Sequence, residues 1–159
     1  TVRNVEHCAP TLASGLLIAE YLRADSFHIK VATPYPKNYK KCTEIALAEQ
    51  KKKARPALAE QMSNLKKYDI VFLGYPIWWG DLPMTVYTFL ENGDFSGKII
   101  IPFCTHEGSG ASNTKKSIET ACPKAKVLKT FAMKGQTAQK LPEAAKKEIL
   151  RWIEGIKLQ

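Results

Sequence analysis

No apolar run in this chain approaches the ~20 residues that a membrane-crossing helix needs. The longest run near the N-terminus, Leu16 to Ala19, is also too short for the core of a secretory signal. The chain opens on Thr1 and not on methionine, which is compatible with a removed leader. Cysteine is scarce and dispersed. Cys8, Cys42, Cys104 and Cys122 contain no C-x-x-C pair, which argues against a disulfide framework and for reduced thiols in a reducing, cytoplasmic compartment. Acidic residues are also in deficit: 15 Asp+Glu face 24 Lys+Arg, for a net charge of +9. That excess is spread over groups such as Lys51–Lys53, Lys66–Lys67, Lys115–Lys116 and Lys146–Lys147. Neither a basic helix interleaved with aromatics nor a zinc-finger spacing is present. The charge therefore argues for solubility and for steering of acidic partners and against a nucleic-acid site, while the lack of a long apolar run argues against the membrane. There is no internal repeat and no linker-like stretch. With 159 residues and 45% hydrophobic content, residues 1–159 are expected to form one domain with a sizeable core.

What is present is a strand-and-helix alternation. Val2 and Val5 suit a short first strand, with His7-Cys8-Ala9-Pro10 as its exit and Thr11 as the cap of a helix reaching Leu22. Leu12, Leu16, Ala19 and Leu22 mark the expected apolar face of that helix. Phe27, Ile29 and Val31 alternate with polar residues, as in a half-buried strand near a sheet edge. After Asn38, its expected cap, Tyr39, Cys42, Ile45 and Ala46 mark a second helix running toward the Lys51 group and ended by Pro56. Ile70 to Leu73 reads as a strand buried on both faces, closed by Gly74 and Pro76. Pro83 opens a short helix that turns Val86, Phe89 and Leu90 inward. Lys98 to Phe103 is a second buried strand, left through the polar loop Cys104 to Gly110. A helix capped by Ser112 follows, then a strand from Val127 to Ala132, then a helix opened by Pro142 with the stripe Ala145, Ile149, Trp152, Ile153 and Ile156. This order predicts an α/β fold with a parallel sheet and helices on both faces.

In such sheets ligands bind outside the carboxyl ends of the strands. Two loops leave carboxyl ends of buried strands here. One, Pro76-Ile77-Trp78-Trp79-Gly80, is aromatic; the other, Thr105-His106-Glu107-Gly108-Ser109-Gly110, is small and polar. Side by side they suit a planar heterocycle, with rings against its face and hydroxyls and backbone N–H groups on its edge. Gly108 and Gly110 let backbone approach closely.

With these loops the chain resembles the flavodoxin-like family, in particular small single-domain flavoproteins carrying G-Y-P-I-W-W-G and P-F-C-T-H-x-G-S-G. The two motifs stand here as Gly74–Gly80 and Pro102–Gly110. Pro34-Tyr35-Pro36, Ala54-Arg55-Pro56 and Asp94-Phe95-Ser96-Gly97-Lys98 match as well, and the likeness runs over roughly residues 18 to 156. The resemblance implies a three-layer fold with a five-stranded parallel sheet of order 2-1-3-4-5, and FMN held non-covalently at the strand ends. It places Pro76, Ile77, Trp78, Trp79 and Gly80 along the ring, Thr105, His106, Gly108, Ser109 and Gly110 at the ring edge, and Thr11 at the phosphate. It implies electron transfer, or NAD(P)H-linked reduction of quinone-type acceptors, with a redox donor or acceptor such as NAD(P)H as partner; the +9 charge, unusual for that family, suits an acidic protein in that role.

One departure bears on the cofactor. The family grips the phosphate with a loop of the type S-x-T-G-N-T, where this chain has Glu6-His7-Cys8-Ala9-Pro10-Thr11 and keeps only Thr11. Glu6 brings negative charge, Pro10 removes a donor and no glycine frees the turn. The alternative reading is thus a degenerate module without FMN that acts through protein partners, including a homodimer covering Trp78 and Trp79. Glu107 is a lesser departure, where relatives carry glycine. Two further readings are weaker: a Cys104 nucleophile beside His106, and a His7–Cys8 metal pair that no ligand spacing supports.

Overall fold

The structure is a computed structural model that describes residues 9–157. The proposed first strand at Val2 and Val5, and the Glu6–Cys8 part of the phosphate loop, lie outside the described residues. The sheet is built on β1 (Ile70–Pro76) and β2 (Ile99–His106), paired in parallel from Ile70↔Ile99 to Pro76↔Thr105. On the far side of β2 lie β3 (Lys126–Val127) and β4 (Phe131–Lys134), both parallel to it. They are two halves of the single strand expected from Val127 to Ala132, and Pro102 explains the break. Ile100 O accepts from Leu128 N while Thr105 O accepts from Ile77 N, so even-numbered residues of β2 turn their polar groups toward β3 and β4. Pro102, also even, has no N–H to offer on that side. The ladder lapses there, over Lys129 and Thr130, and resumes at Phe131.

Helices cover both faces. Leu73 and Tyr75 of β1 and Ile100 and Cys104 of β2 pack with α3 (Met84–Asn92) and α4 (Thr114–Ala121). Phe72, Phe103, Phe131 and Met133 pack on the opposite face with α1 (Ala9–Leu22), α5 (Gly135–Lys140) and α6 (Glu143–Glu154). The helix α2 (Tyr39–Lys51) lies beside α3, and the Asn38 side chain caps it by accepting from Lys41 N at 3.0 Å. Six successive residues of β2, Ile100 to Thr105, are buried, as expected for a central strand. The strand β1 is only partly so, with Ile70 exposed.

Several expectations need correcting. Helix α1 begins at Ala9, so Thr11 lies inside its first turn and is not its cap, and Ala9–Pro10 are not a loop. Its buried face is Thr11, Ser14 and Ile18, whereas Leu16 and Leu22 are exposed. The helix is apolar nearly all round, so periodicity could not choose the face; close approach to Phe103 did. A Cβ at Gly15 would sit 3.4 Å from the tip of that ring. The first strand expected beside Phe27, Ile29 and Val31 lies outside the described residues; among those described, Val31 makes an antiparallel bridge to Leu58. The sheet positions seen thus correspond to the third, fourth and fifth of the expected order. Ser112 does not cap α4; it has φ 48° and the helix starts at Thr114. Helix α2 ends at Lys51, ahead of Pro56. Among the described residues no helix is long and apolar enough to cross a membrane.

Candidate functional site

The carboxyl ends of β1 and β2 open side by side. Pro76 is the register partner of Thr105, and Ile77 N donates to Thr105 O at 2.8 Å, so both candidate loops depart from one edge. Thr105 points to the α1 face, where its hydroxyl lies 2.6 Å from that of Thr11, both side chains being buried. One hydroxyl must donate to the other, and the accepting one keeps a proton for a further partner. The pair thus joins the start of α1 to the ring-edge loop, bringing together two residues 94 apart in sequence.

The aromatic loop is a two-residue hairpin turn. Trp78 N donates to Asp81 O at 2.9 Å and Asp81 N to Trp78 O at 3.1 Å, with Trp79 (φ 50°) and Gly80 (φ 76°) at the tip. Two positive φ values define the type I′ turn. Glycine adopts this geometry freely, whereas a tryptophan there is strained by about 1–3 kcal/mol, and persists only where its surroundings over-determine it. They do so here. Trp79 Nε1 donates to Thr43 O at 3.0 Å and Gln50 Nε2 donates to Trp79 O at 3.2 Å, so the residue is pinned on α2 with 53% of its surface exposed. Trp78 meets Tyr35 edge-to-face, ring centroids 5.2 Å apart. Tyr35 is itself held by Glu49 at 2.7 Å and Thr85 at 3.2 Å.

Asp81, unremarked in the sequence, latches this loop. Its carboxylate accepts from Tyr87 Oη at 2.8 Å on α3 and from Ser117 Oγ at 2.9 Å on α4. The aromatic turn is therefore tied to both helices behind it. The W-G-D turn signature was the available clue; Tyr87 stands six residues on, but Ser117 is 36 residues away and no local pattern announces it.

The polar loop begins later than expected, because β2 runs on through Cys104 and Thr105 to His106. His106 Nδ1 accepts from Gly108 N at 3.0 Å, so a neutral imidazole carries its proton on Nε2. Gly108 (φ 143°) and Gly110 (φ 63°) hold the loop in conformations that favour glycine, and a Cβ at either would meet nothing within 4 Å. Space is open on that side. Ser109 is exposed, with only a 3.4 Å contact from its hydroxyl to Gly110 O. Glu107 lies against Gly135 at the start of α5, where a Cβ would collide with its carboxylate. The Cys104 nucleophile does not survive. Burial pushes its thiol up to about 12, which disfavours the thiolate that attack requires. No cluster of metal-ligating side chains exists among the described residues, and His7 and Cys8 lie outside them.

On the ring side the residues present suit a flavin: a half-exposed indole, a glycine loop with open space, and hydroxyl and imidazole donors at the edge. On the phosphate side Pro10 stands in the first turn of α1 without an N–H, and Thr11 is engaged by Thr105.

Comparison with known proteins agrees with the fold. No curated protein matches the chain significantly. A solved structure of a candidate flavoprotein from Bacteroides eggerthii superposes with a TM-score of 0.77 at 25% identity, over 95% of this chain and 92% of that one. A second, from Bacteroides uniformis, gives 0.75 at 29% identity over 91% and 90%. A Lactobacillus acidophilus flavoprotein solved in complex with FMN gives 0.64 at 18% identity over 84% and 90%, a likeness of fold. The family model for flavodoxin matches residues 8–156, and the chain belongs to that family.

Proposed function

We propose that this chain binds FMN at the carboxyl ends of β1 and β2 and works as an electron carrier or as an NAD(P)H-linked reductase of quinone-type acceptors. The observation that carries the reading is the pairing of Pro76 with Thr105, which sets the strained Trp78–Trp79 turn beside the glycine loop Gly108–Gly110. Membership of the flavodoxin family and the FMN held by the Lactobacillus acidophilus protein support it. In this reading Pro76 to Gly80 flank the ring. Thr105, His106, Gly108, Ser109 and Gly110 line its edge, and Thr11 lies toward the phosphate. The cofactor supplies the one- or two-electron chemistry. The protein's residues hold and orient it: the Asp81 latch keeps the aromatic turn rigid, and His106 presents Nε2–H while its other nitrogen is occupied. Purified protein mixed with excess FMN should quench flavin fluorescence and retain a yellow band after desalting. Colourless protein with unquenched flavin overturns the proposal.

A second reading is favoured by Pro10 and by the engaged Thr11 hydroxyl: a flavodoxin-like module without FMN that acts through a partner. It predicts that same colourless outcome together with a stable complex or dimer covering Trp79.

A further inference from the structure

The segment on which Trp79 rests is strongly basic. Residues 37–53, comprising α2 and its flanks, hold six lysines (Lys37, Lys40, Lys41, Lys51, Lys52 and Lys53) against Glu44 and Glu49, a net of +4 out of the chain's +9. All six lysines are exposed, and none has an ion-pair partner among the described residues. Glu49 is turned to Tyr35 and leaves Glu44 as the exposed acid. Trp79 lies along the same helix, bonded at Thr43 and Gln50, with 53% of its surface open. Tyr39, one turn before Thr43 on that stripe, is 74% exposed. Trp79 lies between lysine groups at either end of the helix, with Tyr39 uncovered inside the first group, which is the layout of a recognition surface: an aromatic anchor at the centre and charges at the rim.

We infer that this face docks an acidic redox protein, bringing its electron-carrying group to the rim of the strand-end site at Trp79. The redox consequence rests on the flavin reading above; the docking does not. Charge decides among occupants. A second copy meeting this face through a two-fold axis would set +4 against +4, which is repulsive. Nucleic acid suits a continuous basic rail, whereas here the lysines form two groups. Helix rise puts them roughly 15 Å apart, with Glu44 exposed between. An acidic protein surface meets both groups and covers the aromatics.

The test measures binding by calorimetry, using an acidic plant-type [2Fe–2S] ferredoxin in its oxidised form as the probe. It is run with and without added FMN, so that loss of flavin binding and loss of docking are read separately. Affinity should fall about tenfold between roughly 20 and 200 mM salt. Lys40→Glu/Lys41→Glu should weaken it about tenfold, and Tyr39→Ala comparably but with an unchanged salt slope. The control Lys140→Glu/Lys147→Glu, on α5 and α6 across the sheet, carries the same charge change and should alter affinity less than about twofold. Circular dichroism checks that each variant is folded. Absent or salt-independent binding overturns the inference. So does an equal effect of the control pair, or displacement of the probe by a thymidine oligonucleotide that binds at least as tightly through the same lysines.

Discussion

Gly74, the first residue of the G-Y-P-I-W-W-G stretch, is a packing glycine in this structure. It pairs with Phe103 across the β1–β2 ladder, and the Phe103 ring lies over it. A Cβ at position 74 would sit 2.3 Å from Phe103 Cζ and 2.6 Å from Cε2. The ring has little room to retreat. It is 5% exposed, Gly15 of α1 meets its tip, and Trp152 of α6 lies 6.4 Å away between centroids. Gly74→Ala therefore forces Phe103 off its position, a change that costs about 1–3 kcal/mol in a filled core. Alanine's backbone advantage over glycine in a strand offsets about 0.5–1 kcal/mol of this. The net loss of about 0.5–2 kcal/mol corresponds to a fall in Tm of about 1–8 °C for a domain of this size. Differential scanning calorimetry reads it directly. Phe103→Leu in the same background removes the clashing ring edge, so the double variant should be more stable than the sum of the two singles by about 1 kcal/mol. An unchanged or raised Tm for Gly74→Ala, or strict additivity in the cycle, refutes the reasoning.

Alkaline stability follows from burial. Burial pushes the Cys104 and Cys122 thiols up from 9.0 to about 12 and about 11, and the Tyr75 phenol from 10.0 to about 12. The folded state thus favours the neutral forms, and their contribution is complete below pH 9.0 and lost as pH rises through the folded values. The urea midpoint under reductant should hold level from about pH 7 to 8.5 and then fall, and a level curve to about pH 10.5 contradicts this. Iodoacetamide at about pH 8 should label Cys104 only after denaturant is added, as mass spectrometry of the peptide will report; rapid native labelling would restore the nucleophile reading. Asp81→Ala strips the acceptor from Tyr87 and Ser117 and should cost about 1–3 kcal/mol. It should also weaken FMN binding beyond that expected from stability alone; fluorescence titration of the folded variant checks this, and unchanged affinity shows that the latch does not hold the site.

Where a local physical rule dominates, the chain was readable. Asn38 caps α2, Pro83 and Pro142 open α3 and α6, and the unbroken apolar run of β2 marks a strand covered on both faces. The two loops at the strand ends were readable for the same reason, since their glycines and tryptophans stand out in composition. Helix α1 was misread at its face because an all-round apolar helix carries no period strong enough to orient it. The last strand was read as one piece because a proline's effect on the neighbouring ladder depends on which side its missing N–H faces, and only pairing settles that.

The sequence by itself determined the class of fold, the order of its central elements and the two loops placed together at its sheet edge, because each follows from residues near one another in the chain. Only the tertiary structure decided that Thr11 meets Thr105, that Asp81 is held by Tyr87 and Ser117, and that Trp79 adopts a left-handed turn against α2. These contacts join segments up to 94 residues apart. Their strength comes from burial and from donor–acceptor geometry that exist only once the helices are packed on the sheet.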